Sequence, residues 1–94
     1  MITSAACRAT INSNEVVTIK VHRHCNFFEI MKILHIDYDK NSVEQGFIDW
    51  DEDKKIEHFV SRAEAAKIAA ECSQILPQMK EEFNSNCLYS EDCW

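Results

Sequence analysis

The stretch that decides the fold is KIEHFVSRAEAA, residues 55–66. Its first six residues are typical of a β-strand. Ser61 and Glu64 then form a capping box, because the Ser61 hydroxyl can accept a hydrogen bond from the Glu64 amide while the Glu64 carboxylate reaches back to the Ser61 amide. Val60 and Ala65 occupy the two positions of a hydrophobic staple. The chain is therefore predicted to pass directly from a strand into a helix.

The predicted helix carries one apolar stripe. Its members recur at helical spacing and are Ala65, Ile68, Ala69, Cys72, Ile75 and Leu76. The alanines let the helix lie close to the surface that it covers. Pro77 interrupts the pattern, so we expect the helix to end or kink near Leu76. On this interpretation Cys72, like Cys7 near the start of the chain, is a small buried hydrophobe.

A hairpin is predicted upstream of this helix. A strand at residues 45–50 pairs with the strand at residues 55–60. Phe47 and Phe59 are candidate core aromatics in the two strands. Gly46 is the only glycine of the chain, so its position is expected to need a positive φ or a close backbone approach.

A second hairpin is predicted at the start of the chain. Apolar and polar residues alternate over 5–11 and again over 16–21, and the polar link 12–15 joins the two runs. Each strand of this hairpin has one face suited to burial. The hairpin therefore supplies the first two strands of the predicted sheet.

A helix is predicted to follow over residues 27–36, with Asn26 as its N-cap. Apolar residues cover most of its circumference, and only Glu29 and Lys32 form a polar edge. Such a helix is normally buried on more than one side. Two interpretations remain open: a second subunit covers part of it, or it is a well-covered core helix of one chain.

These elements predict an α+β fold of the order ββα-ββα, an antiparallel sheet with both helices on one face. Ninety-four residues make a single domain, 1–94. The tail, residues 79–94, is too polar for a third large helix but ends in aromatic residues. We expect it to pack back on the body or on a neighbouring subunit.

Charge excludes one class of function. The chain has 10 Lys and Arg against 16 Asp and Glu, a net charge of −6, which argues against general nucleic-acid binding. The acid is concentrated in residues 44–57 and 80–94, whereas residues 1–43 carry five basic and four acidic groups. The acidic run 49–53 is interpreted as a solvated turn. No membrane span or signal peptide is found, so a cytosolic protein is expected.

The histidine and cysteine residues do not predict a metal site. The chain has five cysteines and no Cys-x-x-Cys pair, so free thiols are expected. His22 and His24 would point to the same face of an extended strand, which makes zinc geometrically conceivable beside Cys25. The missing ligands would have to come from distant residues such as His58 or Cys87. We therefore predict no metal and no cofactor, and interpret the segment as a polar strand end or a ligand contact.

Several segments together resemble a family of small phage-encoded proteins. The matching residues are Arg23-His24, Gly46-Phe47, the run 59–66 and the ending 88–94, which reads LYSEDCW where the family has Leu-Tyr-Ser-Glu-Asp-Leu-Trp. The chain departs from the pattern at Cys25, where the family often has a second His, and at Cys72-Ser73, where it has Gly before Gln-Ile. The resemblance implies a phage origin and a role inside an infected bacterium, without a settled activity.

The polar residues of that pattern are the candidate ligand-binding residues. Arg23, His24 and Arg62, with the helix that Arg62 opens, suit a phosphate or pyrophosphate. The remaining candidates would bind a base or a ribose by hydrogen bonds (Gln74, Ser90, Glu91, Asp92) or by stacking (Tyr89, Trp94). A purely structural role is the alternative: Arg62 pairs with the carboxylates of the tail, and Trp94 is a packing anchor.

Three classes of function compete. The first is a counter-defence protein that sequesters a nucleotide-derived immune signal in the host bacterial cytosol, without catalysis and as a homo-oligomer. Its ligand would be a cyclic ADP-ribose-like molecule, an ADP-ribose conjugate or a cyclic oligonucleotide. The alternative is an acidic protein-binding inhibitor of a host defence or nucleic-acid enzyme. A small hydrolase using His24 with Glu91 or Asp92 is the least favoured, because no catalytic constellation is evident.

Overall fold

The computed structural model describes residues 1–11, 14–80, 83 and 87–93. In chain order, its strands and helices are β1 (Ile2–Ile11), β2 (Glu15–Val21), α1 (Cys25–Ile33), β3 (Glu44–Asp51), β4 (Ile56–Ser61) and α2 (Arg62–Glu71). Short 3-10 turns lie at Lys40–Ser42, Pro77–Met79 and Ser90–Asp92. The elements confirm the predicted α+β class and the order ββα-ββα.

The four strands form one antiparallel sheet in the order β2-β1-β3-β4. One row of paired residues crosses the whole sheet, from Val21 through Ala5 and Phe47 to Val60. These four side chains belong to the core, together with buried residues of both helices. Alternation along each strand therefore places one face of the sheet under the helices.

The helices divide this face between them. α1 packs against β2, and α2 packs against β3, β4 and β1. The buried side chains of α1 are Phe27 and Met31. Those of α2 are Ala65, Ala66 and Ala69. Small side chains at these α2 positions permit close approach of the helix to the sheet, as the alanine pattern predicts.

Side chains of the strands themselves cover the opposite face of the sheet. Lys20 forms an ion pair with Glu57 across two intervening strands, with Nζ 3.1 Å from Oε1. The guanidinium of Arg8 lies 4.5 Å from the ring centre of Phe59. Phe59 is half-buried on this face, so the prediction of Phe47 and Phe59 as equivalent core aromatics is correct for Phe47 alone.

Gly46 sits where a side chain has no room. A Cβ atom there would lie 2.3 Å from the carbonyl oxygen of Val60 and 2.6 Å from Cζ of Phe59. Its φ is not positive. Of the two reasons expected for a glycine here, the close backbone approach is therefore confirmed and the positive φ is wrong.

The start of α1 differs from the prediction. The N-cap is His24, and Asn26 lies within the first turn, where its Oδ1 accepts a hydrogen bond from the Arg23 amide at 2.8 Å. A short amide side chain can bond backwards to a turn as readily as it caps a helix. The helix also ends at Ile33 rather than residue 36, because His35 adopts a φ of 53°.

The start of α2 follows the prediction, whereas its end does not. Oγ of Ser61 accepts from the Glu64 amide at 3.2 Å, although no described hydrogen bond returns from the Glu64 carboxylate. The helix ends at Glu71, and Ser73 follows with a φ of 56°. Ile75 therefore lies beyond the helix. Cys72 is exposed, so its assignment as a buried hydrophobe is wrong, whereas Cys7 is fully buried.

The end of the chain contacts the body of the same molecule. Leu88 is completely buried in the core, and its amide donates to the Arg62 carbonyl at 3.0 Å. The Leu76 amide donates to the Asp92 carbonyl at 2.7 Å. In the described part of the chain, no helix has the length and apolar character needed to cross a membrane.

Candidate functional site

His24 links the β2–α1 turn to strand β3. Its side chain is 7 % exposed, and Nε2 lies 2.7 Å from the carbonyl oxygen of Gly46. A carbonyl can only accept, so Nε2 carries the proton and donates it. Nδ1 is then an acceptor, and it faces Nη2 of Arg62 at 3.3 Å. The imidazole also packs edge-on against Phe47, with ring centres 5.0 Å apart.

The buried thiol of Cys7 contacts the backbone of this turn. Its Sγ lies 3.8 Å from the His24 carbonyl oxygen, within reach of a weak S–H donor. Burial raises the pKa of Cys7 to about 11, although the nearby Arg62 charge opposes the shift. The thiol therefore stays protonated at neutral pH and acts as packing and hydrogen-bond donor.

The two histidines do not lie on a strand. β2 ends at Val21, so His22 and His24 fall in the turn, where the first is exposed and the second is buried. The prediction that both face one side of an extended strand is therefore wrong. Within the residues that the structure describes, no group of three or more His, Cys, Asp or Glu side chains could hold a metal ion.

Arg62 is the first residue of α2 and is held by neutral partners. Its Nη2 donates to Oε1 of Gln45 and approaches Nδ1 of His24. Its guanidinium carbon lies 5.1 Å from the ring centre of Tyr89. Among the described side chains no carboxylate pairs with Arg62, and its buried Nε has no hydrogen-bond partner there.

The tail presents Tyr89 to Arg62. The Tyr89 ring is 46 % exposed, whereas Ser90 and Asp92 are almost completely buried. Oδ2 of Asp92 accepts a hydrogen bond from the Tyr89 amide at 2.9 Å. A hydrogen bond with the side chain of Cys87 raises the pKa of Tyr89. Asp92 thus fixes the turn that carries Tyr89, and among the described tail residues Tyr89 faces both Arg62 and solvent.

Gln74 lies apart from this cluster. Its Oε1 accepts from the Ile2 amide at 2.8 Å, and its Nε2 donates to the Ile2 carbonyl at 2.6 Å. The side-chain amide thus bonds to Ile2 as a neighbouring strand would, and it connects the segment after α2 to β1. Both of its polar atoms are used in this way.

The other sequence candidates are placed as follows. The half-buried Arg23 lies in the turn before α1, where its amide donates to Asn26. Trp94 lies outside the described residues, as does the side chain of Glu91. The structure therefore brings together His24, Arg62 and Tyr89, and Asp92 supports Tyr89 through its backbone amide.

Sequence reasoning missed two partners in this site. Gln45 and the carbonyl of Gly46 orient Arg62 and His24, respectively. Gly46 was recognisable as a close approach, but nothing in the sequence indicates which residue approaches its carbonyl. Gln45 precedes it in an exposed strand position that carries no local signal.

A surface cavity of about 480 Å³ lies elsewhere, on the opposite face of the sheet. Arg8, Thr10, Val16 and Glu44 are among the residues that line it. The two charged residues that line this cavity, Arg8 and Glu44, pair with each other.

Comparison with known proteins gives one family match. A family model described as Phage T4 y16D protein matches residues 1–94, which is the whole chain. No significant match was found among curated proteins or among solved structures.

Proposed function

The chain belongs to the Phage T4 y16D protein family, and we propose that it is a counter-defence protein. The family match confirms the resemblance to small phage proteins. The protein binds a nucleotide-derived immune signal in the cytosol of the host bacterium and holds it without catalysis. The ligand is a cyclic ADP-ribose-like molecule, an ADP-ribose conjugate or a cyclic oligonucleotide. All three combine phosphate with a base.

The observation that carries the proposal is the state of Arg62. Its described partners are the imidazole of His24, the amide of Gln45 and the ring of Tyr89, none of which neutralises a positive charge. A guanidinium oriented in advance by neutral groups retains its full attraction for an anion. Phosphate and carboxylate are the anions whose oxygens match the planar donor geometry of a guanidinium.

Tyr89 supplies the second half of the recognition. Its exposed ring stands beside the guanidinium, so a bound phosphate would bring its nucleoside close to an aromatic face. Base–aromatic stacking contributes about 1–3 kcal/mol per base and tolerates different bases. A fixed cation beside an aromatic surface therefore favours a nucleotide over a simple anion.

The same contacts favour binding over turnover. Both ring nitrogens of His24 are engaged, one by the Gly46 carbonyl and the other by Arg62. The Asp92 carboxylate is buried and bonds to the backbone of Tyr89. A general base needs an atom within reach of the substrate proton, and these groups are used inside the protein.

The acidic run is used locally, which makes the alternative of an acidic protein-binding inhibitor less attractive. Oδ1 of Asp51 accepts hydrogen bonds from the amides of Asp53 and Lys54 at 3.1 Å each. Glu52 accepts a hydrogen bond from the indole of Trp50. These contacts confirm a solvated turn for residues 52 and 53 alone. Residues 49–51, predicted to lie in the same turn, belong to β3, and Asp49 pairs with the N-terminal ammonium group.

One experiment separates a binder from an enzyme. The purified protein is incubated with one representative of each of the three ligand classes, freed of unbound ligand and heated. Mass spectrometry of the supernatant then identifies what is released. Intact ligand supports sequestration, whereas a converted product would show an enzyme. Absence of both binding and turnover with all three classes would overturn the proposal.

Variants of Arg62 and Tyr89 test the site itself. Arg62→Ala is expected to weaken ligand binding by at least tenfold. Tyr89→Ala should weaken it by a smaller factor. Lys67→Ala is the matched control, because it removes one positive charge from an exposed position of the same helix. Melting temperatures distinguish the roles: loss of binding without loss of stability supports a ligand contact, and a large fall in stability with unchanged binding supports a structural one.

A further inference from the structure

We propose that two copies of the chain associate through the outer edge of β2, which creates one continuous eight-stranded sheet around a two-fold axis at Thr18. This interface does not involve Arg62 or Tyr89. It forms without ligand, so its test is independent of the proposed nucleotide binding.

The first observation is the uncovered edge of β2. β1 pairs with one side of β2, and no described residue pairs with the other side through backbone hydrogen bonds. Five of its seven residues are β-branched, and its register with β1 has no bulge. An edge strand without proline or bulge is a ready template for another strand.

The second observation is an apolar flank of α1, formed by Ile30, Ile33 and Leu34. Spacings of three and four residues place these side chains on one side of the helix. Ile33 is 73 % exposed and Leu34 is 59 % exposed. Phe28 instead packs against Tyr38, roughly 140° around the helix from Ile33.

The position of α1 brings these two observations together. α1 packs at the β2 end of the sheet, whereas α2 covers the β3 and β4 end. Tyr38 forms a bridge with Ile11 on the side of β1 that does not pair with β2, so the half-exposed Phe28 side of α1 faces away from the β2 edge. The flank on the far side therefore lies above the β2 edge.

A second copy of the chain, related by one two-fold rotation, would cover both the β2 edge and the apolar flank of α1. Antiparallel pairing of β2 with itself around Thr18 is the register in which all seven residues 15–21 have partners. It places Val17 opposite Ile19 on the core face and Lys20 opposite the exposed Val16 on the other face. No charged residue then faces its own copy. The same rotation brings the two α1 flanks together.

Charge selects this edge rather than the β4 edge. The first 43 residues carry five basic and four acidic groups, whereas the remainder holds the net negative charge. β4 directly follows the acidic turn, so two copies meeting there would bring like charges together. Two copies meeting at β2 keep their acidic halves far apart.

Sedimentation velocity of the ligand-free protein tests the proposal from low to high micromolar concentration. The expected mass is twice the 10.9 kDa of the chain. Thr18→Glu should give a monomer, because two carboxylates would face each other across the axis. Arg8 pairs with position 18 of its own copy and therefore does not bridge the two copies. Ile33→Glu should weaken the dimer by at least tenfold. The matched control Ile56→Glu, on the β4 strand, should leave it intact.

Disulfide cross-linking tests the register in a chain whose exposed Cys25 and Cys72 are replaced by serine. Thr18→Cys should cross-link on oxidation, because directly paired Cα atoms lie about 4.5–5.5 Å apart. Val16→Cys should not, since its copy would be about 13 Å away. A monomer at all concentrations, a dimer broken only by Ile56→Glu, or cross-linking only at residue 16 would overturn the proposal. Circular dichroism confirms that each variant folds.

Discussion

Nδ1 of His24 lies 3.3 Å from Nη2 of Arg62, while Nε2 of the same ring lies 2.7 Å from the Gly46 carbonyl oxygen. One neutral imidazole thus connects the turn before α1, strand β3 and the first residue of α2. It links three elements that are far apart in the sequence. The orientation of Arg62 therefore depends on a residue that need not contact any ligand.

Replacement of His24 by phenylalanine tests this connection. The phenyl ring keeps the aromatic contact with Phe47 but leaves the Gly46 carbonyl without its donor. The free energy of unfolding should fall by about 1–3 kcal/mol, the usual cost of an unsatisfied buried polar group. Urea denaturation measures it. His22→Phe is the control at an exposed position of the same turn, and equal effects of the two variants would contradict the role given to His24.

Replacement of Gly46 by alanine tests the close approach of β4. The added methyl group would lie 2.3 Å from the Val60 carbonyl oxygen, so the backbone must move. We expect a loss of about 1–3 kcal/mol in the free energy of unfolding. In a double-mutant cycle with Phe59→Ala, part of that loss should disappear, because the ring is the second obstacle. A Gly46→Ala variant as stable as the wild type would refute the steric argument.

Truncation of Leu88 tests how the tail is held. Leu88→Ala removes a fully buried side chain and should lower the free energy of unfolding by about 2–5 kcal/mol. Leu34→Ala makes the same change at an exposed position and should alter the stability of the monomer by less than about 0.5 kcal/mol. Chemical denaturation compares the two in the Thr18→Glu background, which removes any contribution from the proposed dimer. Similar losses in both variants would mean that the tail does not depend on Leu88.

The buried thiol of Cys7 predicts a loss of stability in alkali. Its pKa is about 11 in the folded chain, against an ordinary value of 9.0. Between these values the unfolded chain loses the thiol proton and the folded chain keeps it, so ionisation favours unfolding. The stabilising effect is complete below pH 9 and is lost as the pH rises through 11.

Denaturation at pH 8 and pH 10.5 measures this effect. Cys7→Ala should lose less stability over that interval than the wild type, by roughly 1–2 kcal/mol. Cys25→Ala, which removes an exposed thiol, should behave as the wild type does. Burial also raises the pKa of Cys93 to about 11, so the variant should retain part of the alkaline slope. If Cys7→Ala lost as much stability between pH 8 and pH 10.5 as the wild type, the effect could not be assigned to the Cys7 thiol.

The sequence by itself determined the local structure of the protein. Alternation predicted the four strands, and the Ser61 hydroxyl marked the start of α2, because a strand period and a helix cap each depend on residues within a few positions. Local signals were ambiguous at helix ends. Asn26 bonds backwards instead of capping α1, and the apolar stripe continues past Glu71 although the helix does not.

Only the tertiary structure decided the site. The His24 ring meets Gly46 from 22 positions away and Arg62 from 38, and Leu88 reaches the Arg62 carbonyl from the tail. No periodicity or cap encodes such pairs, because they depend on the order in which the strands join. With β1 between β2 and β3, the turn before α1 lies above Gly46. That arrangement leaves Arg62 oriented by neutral partners beside the exposed ring of Tyr89.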